Sequence, residues 1–422
     1  MKFSLLPFLA VLSSAIAAPG DIQQWRGPNR DGLFPATGLL KQWPQDGPPM
    51  AWKINGLGKG FASVSIVDGK IFTTSGRKGA QFIVAIDAAS QKELWAAKLC
   101  DKGGVPRCTP TVDGDRVFAL SSEGDLVCVA ATDGHEIWRK SFATDFGDAP
   151  RPKWQFSESP FIDGDKLVVV PGSSEALVAA LDKKTGDVLW KTAADLPGKG
   201  HTGAGYTGVV VSNAAGIRQY VTLVGKGAFG VDAQTGKLLW HYNRVANGTA
   251  VIPTPLVWDD YVFVSSGYST GAALLKIVKS TGAADQIAGS PVVAEEQYFL
   301  NASTFQNHHG GMVRIGDYIY AGKGHNNGFP ICLEWKTGKV VWEKERGPGT
   351  QSAAVIAADG NLYFRYQDGI MALIEATPAG YNEKGAFKLA SVNGPSWPHP
   401  VIHGGKLYVR DQDVLMCYSL QK

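Results

Sequence analysis

Five of the eight histidines in this 422-residue chain sit in short glycine- or proline-bearing segments: KGHTGAGYT (His201), QNHHGGM (His308 and His309), KGHNNGFP (His325) and SWPHP (His399). Imidazoles so placed can move protons, bind a transition metal or donate hydrogen bonds to an oxygen-rich ligand. Comparable segments hold Glu158, Asn326, Arg365, Trp397, Arg410, Asp411 and Asp413. Carboxylate and amide oxygens suit a hard cation, paired guanidiniums suit an anion, and an indole offers a stacking face. Other chemistries lack their marks: there is no HExxH or CxxC spacing for zinc, no GxSxG elbow, and no GxGxxG leading into a helix. Each of these side chains also has a purely structural reading. Loop histidines pair with nearby carboxylates, and Arg410 with Asp411 and Asp413 can form an ion-pair knot.

What brings such distant residues together must be sought in the elements that carry them. The stretch GVDAQTGKLLW (230–240) reads as a strand end, a Thr-Gly turn and a second strand closing on Trp240. It recurs as AIDAASQKELW, AATDGHEIW, ALDKKTGDVLW and LEWKTGKVVW, ending at Trp95, Trp138, Trp190 and Trp342. Before each copy lies a pair of short apolar strands around a tight turn, as in SIVDGKIFTTSG (65–76) and FIDGDKLVVVPG (161–172). Four antiparallel strands per unit of roughly 40–50 residues is the mark of a β-propeller blade. The units fall at 62–98, 108–141, 158–193, 204–243, 250–290, 309–345 and 351–390, with 397–421 completed by 51–55. The sequence therefore predicts an all-β, eight-bladed propeller whose last blade is closed by an N-terminal strand. A seven-bladed ring stays open, because the fifth and seventh units lack the terminal Trp.

In such a ring, the links between blades and the loops between second and third strands share one face, and each first strand lines the central funnel. The histidine segments occupy those slots. The sequence thus predicts one ligand site at the funnel mouth, built from His201, His308, His309, His325, Asn326, Arg365, Trp397, His399 and Arg410, for a small anionic or polyhydroxylated ligand.

Composition sets further bounds. Aromatics are 10%, charged residues 19%, and the formal charge is +3, which gives no electrostatic case for nucleic acid or an anionic membrane. Residues 1–17 pair Lys2 with an apolar run and the small-residue site Ala15-Ile16-Ala17, which reads as a secretory signal peptide and predicts a periplasmic or extracellular protein. No later run is long enough for membrane insertion. Residues 18–50 read as an ordered arm fastened to the ring by Trp25, Leu39, Leu40 and Trp43, and 51–422 as the propeller. Cys100 and Cys108 bracket one loop, where a disulfide and two separate thiols are both open readings; Cys128, Cys332 and Cys417 sit in apolar strands as buried thiols.

The repeated A-x-D-x-x-T-G-x-x-x-W pattern resembles the tryptophan-docking motif of the pyrroloquinoline quinone (PQQ) repeat propellers, over about five of the eight units. That resemblance implies a Trp wedged between adjacent blades of an eight-bladed ring. The family includes quinoprotein alcohol and sugar dehydrogenases and also cofactor-free outer-membrane assembly lipoproteins. The dehydrogenase branch implies PQQ stacked on a Trp floor, Ca²⁺ held by oxygen ligands, and an Asp as base. Trp397 would then be the floor, Glu158 and Asn326 the Ca²⁺ ligands, Asp411 or Asp413 the catalytic base, and Arg365 or Arg410 the contact to the quinone. The chain departs from that branch in lacking an adjacent Cys-Cys pair and a CxxCH haem site. Two functions follow: a quinoprotein-type oxidoreductase acting on a small alcohol or sugar, or a non-catalytic propeller binding a protein, peptide or glycan.

Overall fold

A computed structural model describes residues 20–282, 287–395 and 397–421. The expected signal peptide, residues 1–17, lies outside the described residues. The strands form eight separate four-stranded antiparallel sheets, each meandering from the innermost strand outward. Seven are continuous in sequence, spanning 65–100, 111–141, 161–191, 210–242, 256–300, 312–343 and 353–388. The eighth takes three strands from 401–419 and its outermost strand from Met50–Ile54, which pairs with Val414–Ser419. This joins the two ends of the ring and covers the edge that Val414–Ser419 would otherwise expose at the seam. The seven-bladed alternative is thereby excluded.

The tight turns explain the local chain path. In the fourth blade Asp232 Oδ1 accepts the N–H groups of Gln234 and Thr235, and Gly236 adopts the positive φ (72°) that closes the turn. Middle strands carry long buried apolar runs because neighbouring blades cover both faces. Ile83, Val84, Ala85 and Ile86, for example, are all 0% exposed.

The repeat tryptophans dock on those turns. Trp95, Trp138 and Trp190 lie against Gly134, Gly186 and Gly236 of the following blade, so closely that a Cβ there would meet the indole. Glycine is thus required twice over, for its φ and for its missing side chain. Other blades depart from the pattern: among the described residues Trp342 meets no glycine of the next turn and donates instead to Thr377 O, and the seventh blade's outer strand carries no Trp. The fifth blade's outer strand is Val292–Leu300, beyond the limit of 290 expected from sequence, and its Tyr298 takes the Trp position against Gly338. Among the described residues no glycine of the following blade lies against Trp240; it is fully buried over its own Gly230 and donates through Nε1 to Gln219 Oε1 at 2.6 Å.

The arm crosses the ring. Ile22 bridges to Ile66 of the first blade, Val112 N–H of the second donates to Gln23 O, and Leu33 bridges to Ala357 of the seventh. Leu39 and Trp43 are buried, and Trp43 N–H donates to Lys384 O. Between these anchors Arg26 and Arg30 sink completely into the ring. Arg26 Nη2 donates to Met312 O at 2.6 Å, and Arg30 Nη2 to Ser159 O at 2.9 Å, both at or just before innermost strands. Burial pushes each guanidinium down to about 10. All five cysteines are free and buried, Cys100 and Cys108 included.

Candidate functional site

Innermost strands begin at the funnel, so the residues just before them ring a common space. That space is a cavity of about 280 Å³, lined by aromatic side chains: Trp25 from the arm, Phe61, Trp154, Tyr206, Tyr268 and Trp397. Phe61 and Trp397 stack face to face, centroids 4.3 Å apart. The polar groups of the lining are Arg107, Ser157, Glu158, Ser159, His308, His309 and His399.

Most of those polar groups already have protein partners. Trp397 Nε1 donates to Gln367 Oε1 at 3.0 Å, which fixes the orientation of that amide. Gln367 Nε2 then donates to His309 Nε2 at 3.1 Å and to Asn326 Oδ1 at 3.0 Å. His309 is therefore the neutral tautomer with its proton on Nδ1, a buried atom that has no hydrogen-bond partner. His399 Nδ1 lies 3.4 Å from Arg26 Nη1 and must accept from it, leaving Nε2–H to donate to His309 O. His308 touches Ser352 Oγ through Nδ1 and Tyr268 Oη through Nε2. Burial, reinforced by the neighbouring imidazoles for His308 and His309 and by Arg26 for His399, pushes all three down to about 3. Glu158 accepts from Val170 N–H at 2.6 Å, and burial raises its carboxyl to about 8 despite Arg30 nearby.

The structure divides the residues expected at the site into three groups. His308, His309, Trp397, His399 and Glu158 line the cavity. His325 and Asn326 are exposed beside it; the His325 ring lies 4.3 Å from that of His308 and 4.4 Å from that of Tyr268. The third group lies elsewhere. Arg365 is fully buried, donates to Pro398 O at 2.6 Å and faces Asp411 at 3.6 Å. Arg410 is buried at the seam between the last and first blades, donating to Thr73 Oγ1 and Gly58 O. Asp413 accepts from Asn393 Nδ2. His201 lines a separate hollow with Asp195 and Lys226. Inward-facing positions on a blade fill the space between sheets as readily as they line the funnel, so sharing a loop class does not bring these side chains to one cavity.

The donor set also bears on Ca²⁺ and PQQ. The four oxygen-bearing residues are dispersed: Glu158 on the cavity wall, Asn326 at the exposed rim, Asp411 against Arg365, and Asp413 beside Asn393. Among the described residues no three His, Cys, Asp or Glu side chains form a group able to hold a metal ion. Of the two arginines expected at the quinone oxygens, Arg365 is buried between Pro398 O and Asp411, and Arg410 spends its donors on Thr73 Oγ1 and backbone carbonyls, so neither lines the cavity. The residues present do not fit the cofactor set implied by the dehydrogenase branch.

Sequence reasoning missed Trp25, Phe61, Arg107 and Trp154 as lining residues. Phe61 and Arg107 precede innermost strands just as His399 does, so the slot rule could have found them. Nothing in the repeat points to Trp25, which lies outside it.

Comparison with known proteins adds the following. The model of a family described as outer membrane protein assembly factor BamB matches residues 79–344, more than half of the chain. An outer membrane protein assembly factor BamB from Shewanella oneidensis is 26% identical over 272 residues, 62% of this chain and 64% of that protein. A quinohemoprotein alcohol dehydrogenase ADH IIB from Pseudomonas putida is 27% identical over 136 residues, 29% of this chain and 19% of that protein. The chain thus spans less than two thirds of the length of these relatives. Among solved structures, BamB from Moraxella catarrhalis superposes with TM-score 0.59 at 14% identity, covering 88% of this chain and 97% of that one. Quinohemoprotein alcohol dehydrogenase from Comamonas testosteroni superposes with TM-score 0.64 at 12% identity, covering 97% and 82%. At such identities these two likenesses speak for the propeller fold alone.

Proposed function

This chain belongs to the propeller family described as outer membrane protein assembly factor BamB, and from that premise we propose that it is an exported, non-catalytic binding propeller whose funnel face receives a protein or peptide partner. Residues 1–17 serve as its leader, 18–50 as an arm packed on the propeller and 51–422 as the propeller. The observation that carries this reading is the character of the cavity. Its walls are aromatic, while the histidines and carboxylates that would perform chemistry are held by internal hydrogen bonds or lie elsewhere. Exposed aromatic surface in a concave site is the usual anchor for a partner's side chain. The outer-membrane assembly role named for the relatives supports a periplasmic partner, whereas the quinoprotein reading requires a carboxylate and arginine set that this cavity lacks.

The test is site-specific photo-crosslinking in cells, with the photoreactive residue at Trp154, which is 42% exposed on the cavity rim, and at exposed Leu189 on an outer strand as control. A discrete protein adduct from the first position and not the second is expected. Saturable binding of PQQ with Ca²⁺, followed by absorbance and accompanied by alcohol-dependent dye reduction, would refute the proposal.

A further inference from the structure

The cavity's charge is concentrated at one place. Among the described residues that line it, Arg107 is the only Arg or Lys. Its Nη1 donates to Val105 O at 3.1 Å and to Gln155 Oε1 at 2.7 Å, and its guanidinium lies 5.3 Å from the Phe61 ring centroid. Among the described residues its Nε and Nη2 have no hydrogen-bond partner. They are not among the buried unpaired atoms either, so they stay open to an incoming group. The opposite polarity is muted: Glu158 is buried, accepts from Val170 N–H, and holds its proton to about 8. The three lining imidazoles are neutral at pH 7.

We infer that the cavity takes a single aromatic ring bearing one carboxylate, the ring among Trp25, Phe61, Trp154, Tyr206 and Trp397 and the carboxylate on the open edge of Arg107. The inference rests on reading this cavity as the binding site. Guanidinium geometry favours a planar carboxylate over a point charge or a hydroxyl. A polyhydroxylated ring is disfavoured, since most of the wall's polar groups are already hydrogen-bonded and would leave its hydroxyls unmatched. A cation is disfavoured by Arg107 itself, despite the electron-rich ring faces. The anionic character expected from the sequence is thus retained, but its recognising arginine is Arg107. Two sources carry this chemistry: a free aromatic acid, or the C-terminal aromatic residue of a peptide.

Calorimetric titration of the full chain separates these cases. The probes are 3-phenylpropionate, its neutral amide, acetate, methyl glucoside, and a short peptide ending in Phe as free acid or as amide. Phenylpropionate is expected to bind about tenfold or more tightly than the amide, as a charge-assisted hydrogen bond implies, and acetate and the glucoside not detectably. Arg107→Gln should abolish the difference between acid and amide, and Arg107→Lys should restore part of it, with melting temperatures serving as the folding control. Equal affinity for acid and amide, tighter binding of the glucoside, or no binding of any probe would overturn the inference. Binding of both the free acid and the free-acid peptide supports a peptide source, and binding of the small acid alone supports a metabolite source. In that second case the inference stands while the protein-partner reading falls. A crosslinked partner with no acid preference gives the reverse.

Discussion

Replacing Trp240 and Trp190 separately by Ala tests the blade-docking account most directly, because the two repeat equivalents sit in different surroundings. Trp240 is 0% exposed and gives its indole N–H to the buried Gln219 Oε1. Truncating a fully buried large aromatic costs about 3–5 kcal/mol, and stranding the Gln219 acceptor adds about 1–3 kcal/mol. Trp190 is largely but not fully buried; it lies over the Gly236 turn and nearly parallel to Tyr220, and its Nε1 has no partner to lose. Burial of roughly three quarters of an indole at ~25 cal/mol per Å² corresponds to about 3–5 kcal/mol. Trp240→Ala should therefore destabilise by about 1–3 kcal/mol beyond Trp190→Ala, the cost of the stranded acceptor. Trp240→Phe, which keeps most of the ring and loses only the donor, should cost less than Trp240→Ala, about 1–3 kcal/mol. Guanidinium unfolding followed by both circular dichroism and fluorescence gives the midpoints and exposes any partly folded ring. Equal losses, or a larger loss at Trp190, would refute the assignment of Trp240 as a core residue and of Trp190 as an inter-blade wedge.

Four further outcomes are expected. Deleting residues 18–56 removes the Met50–Ile54 strand that pairs with Val414–Ser419, so the shortened chain should not give a cooperative melt. Arg365→Ala and Arg410→Ala should lower stability by about 3–5 kcal/mol rather than act on a ligand, because each strands buried partners; unchanged melting with weakened binding would contradict this. Glu158 holds its proton up to about 8 against a usual 4.5, so the folded state binds an extra proton between those values and loses stability as pH rises through that window, each unit being worth up to ~1.4 kcal/mol. Glu158→Gln should remove that slope between pH 5 and 8, and an unaltered profile would show that the carboxyl is not buried in this way. His308, His309 and His399 are pushed from 6.5 to about 3; the unfolded chain takes up protons first, and stability should fall progressively as pH drops below 6.5, read by melting temperature against pH.

The propeller itself was legible in the sequence, while the choice of eight blades over seven came from the structure. Period, turn chemistry and terminal Trp recur along the chain, and a unit that cannot bury its faces alone has to stack on its neighbours; closure by an N-terminal strand followed from an unpaired Ala51–Asn55 and a three-stranded tail. Even the fifth blade's outer strand was misplaced for a local reason, since Tyr298 stands where the repeat has Trp. The site was legible only as a slot. Knowing that His399, Arg365 and Arg410 occupy blade segments near the funnel did not say that the first faces the cavity while the other two turn into the protein. That choice depends on side-chain direction and on which carbonyls lie within reach, and both are set by neighbouring blades. The arm shows the same limit. Its sequence, QQWRGPNRDG, marks it as ordered and aromatic-bearing. Only the assembled ring, with carbonyl oxygens turned inward at Met312 and Ser159, draws Arg26 and Arg30 inside and sets Trp25 into the wall of the cavity, because a buried guanidinium goes where acceptors from several distant segments can surround it.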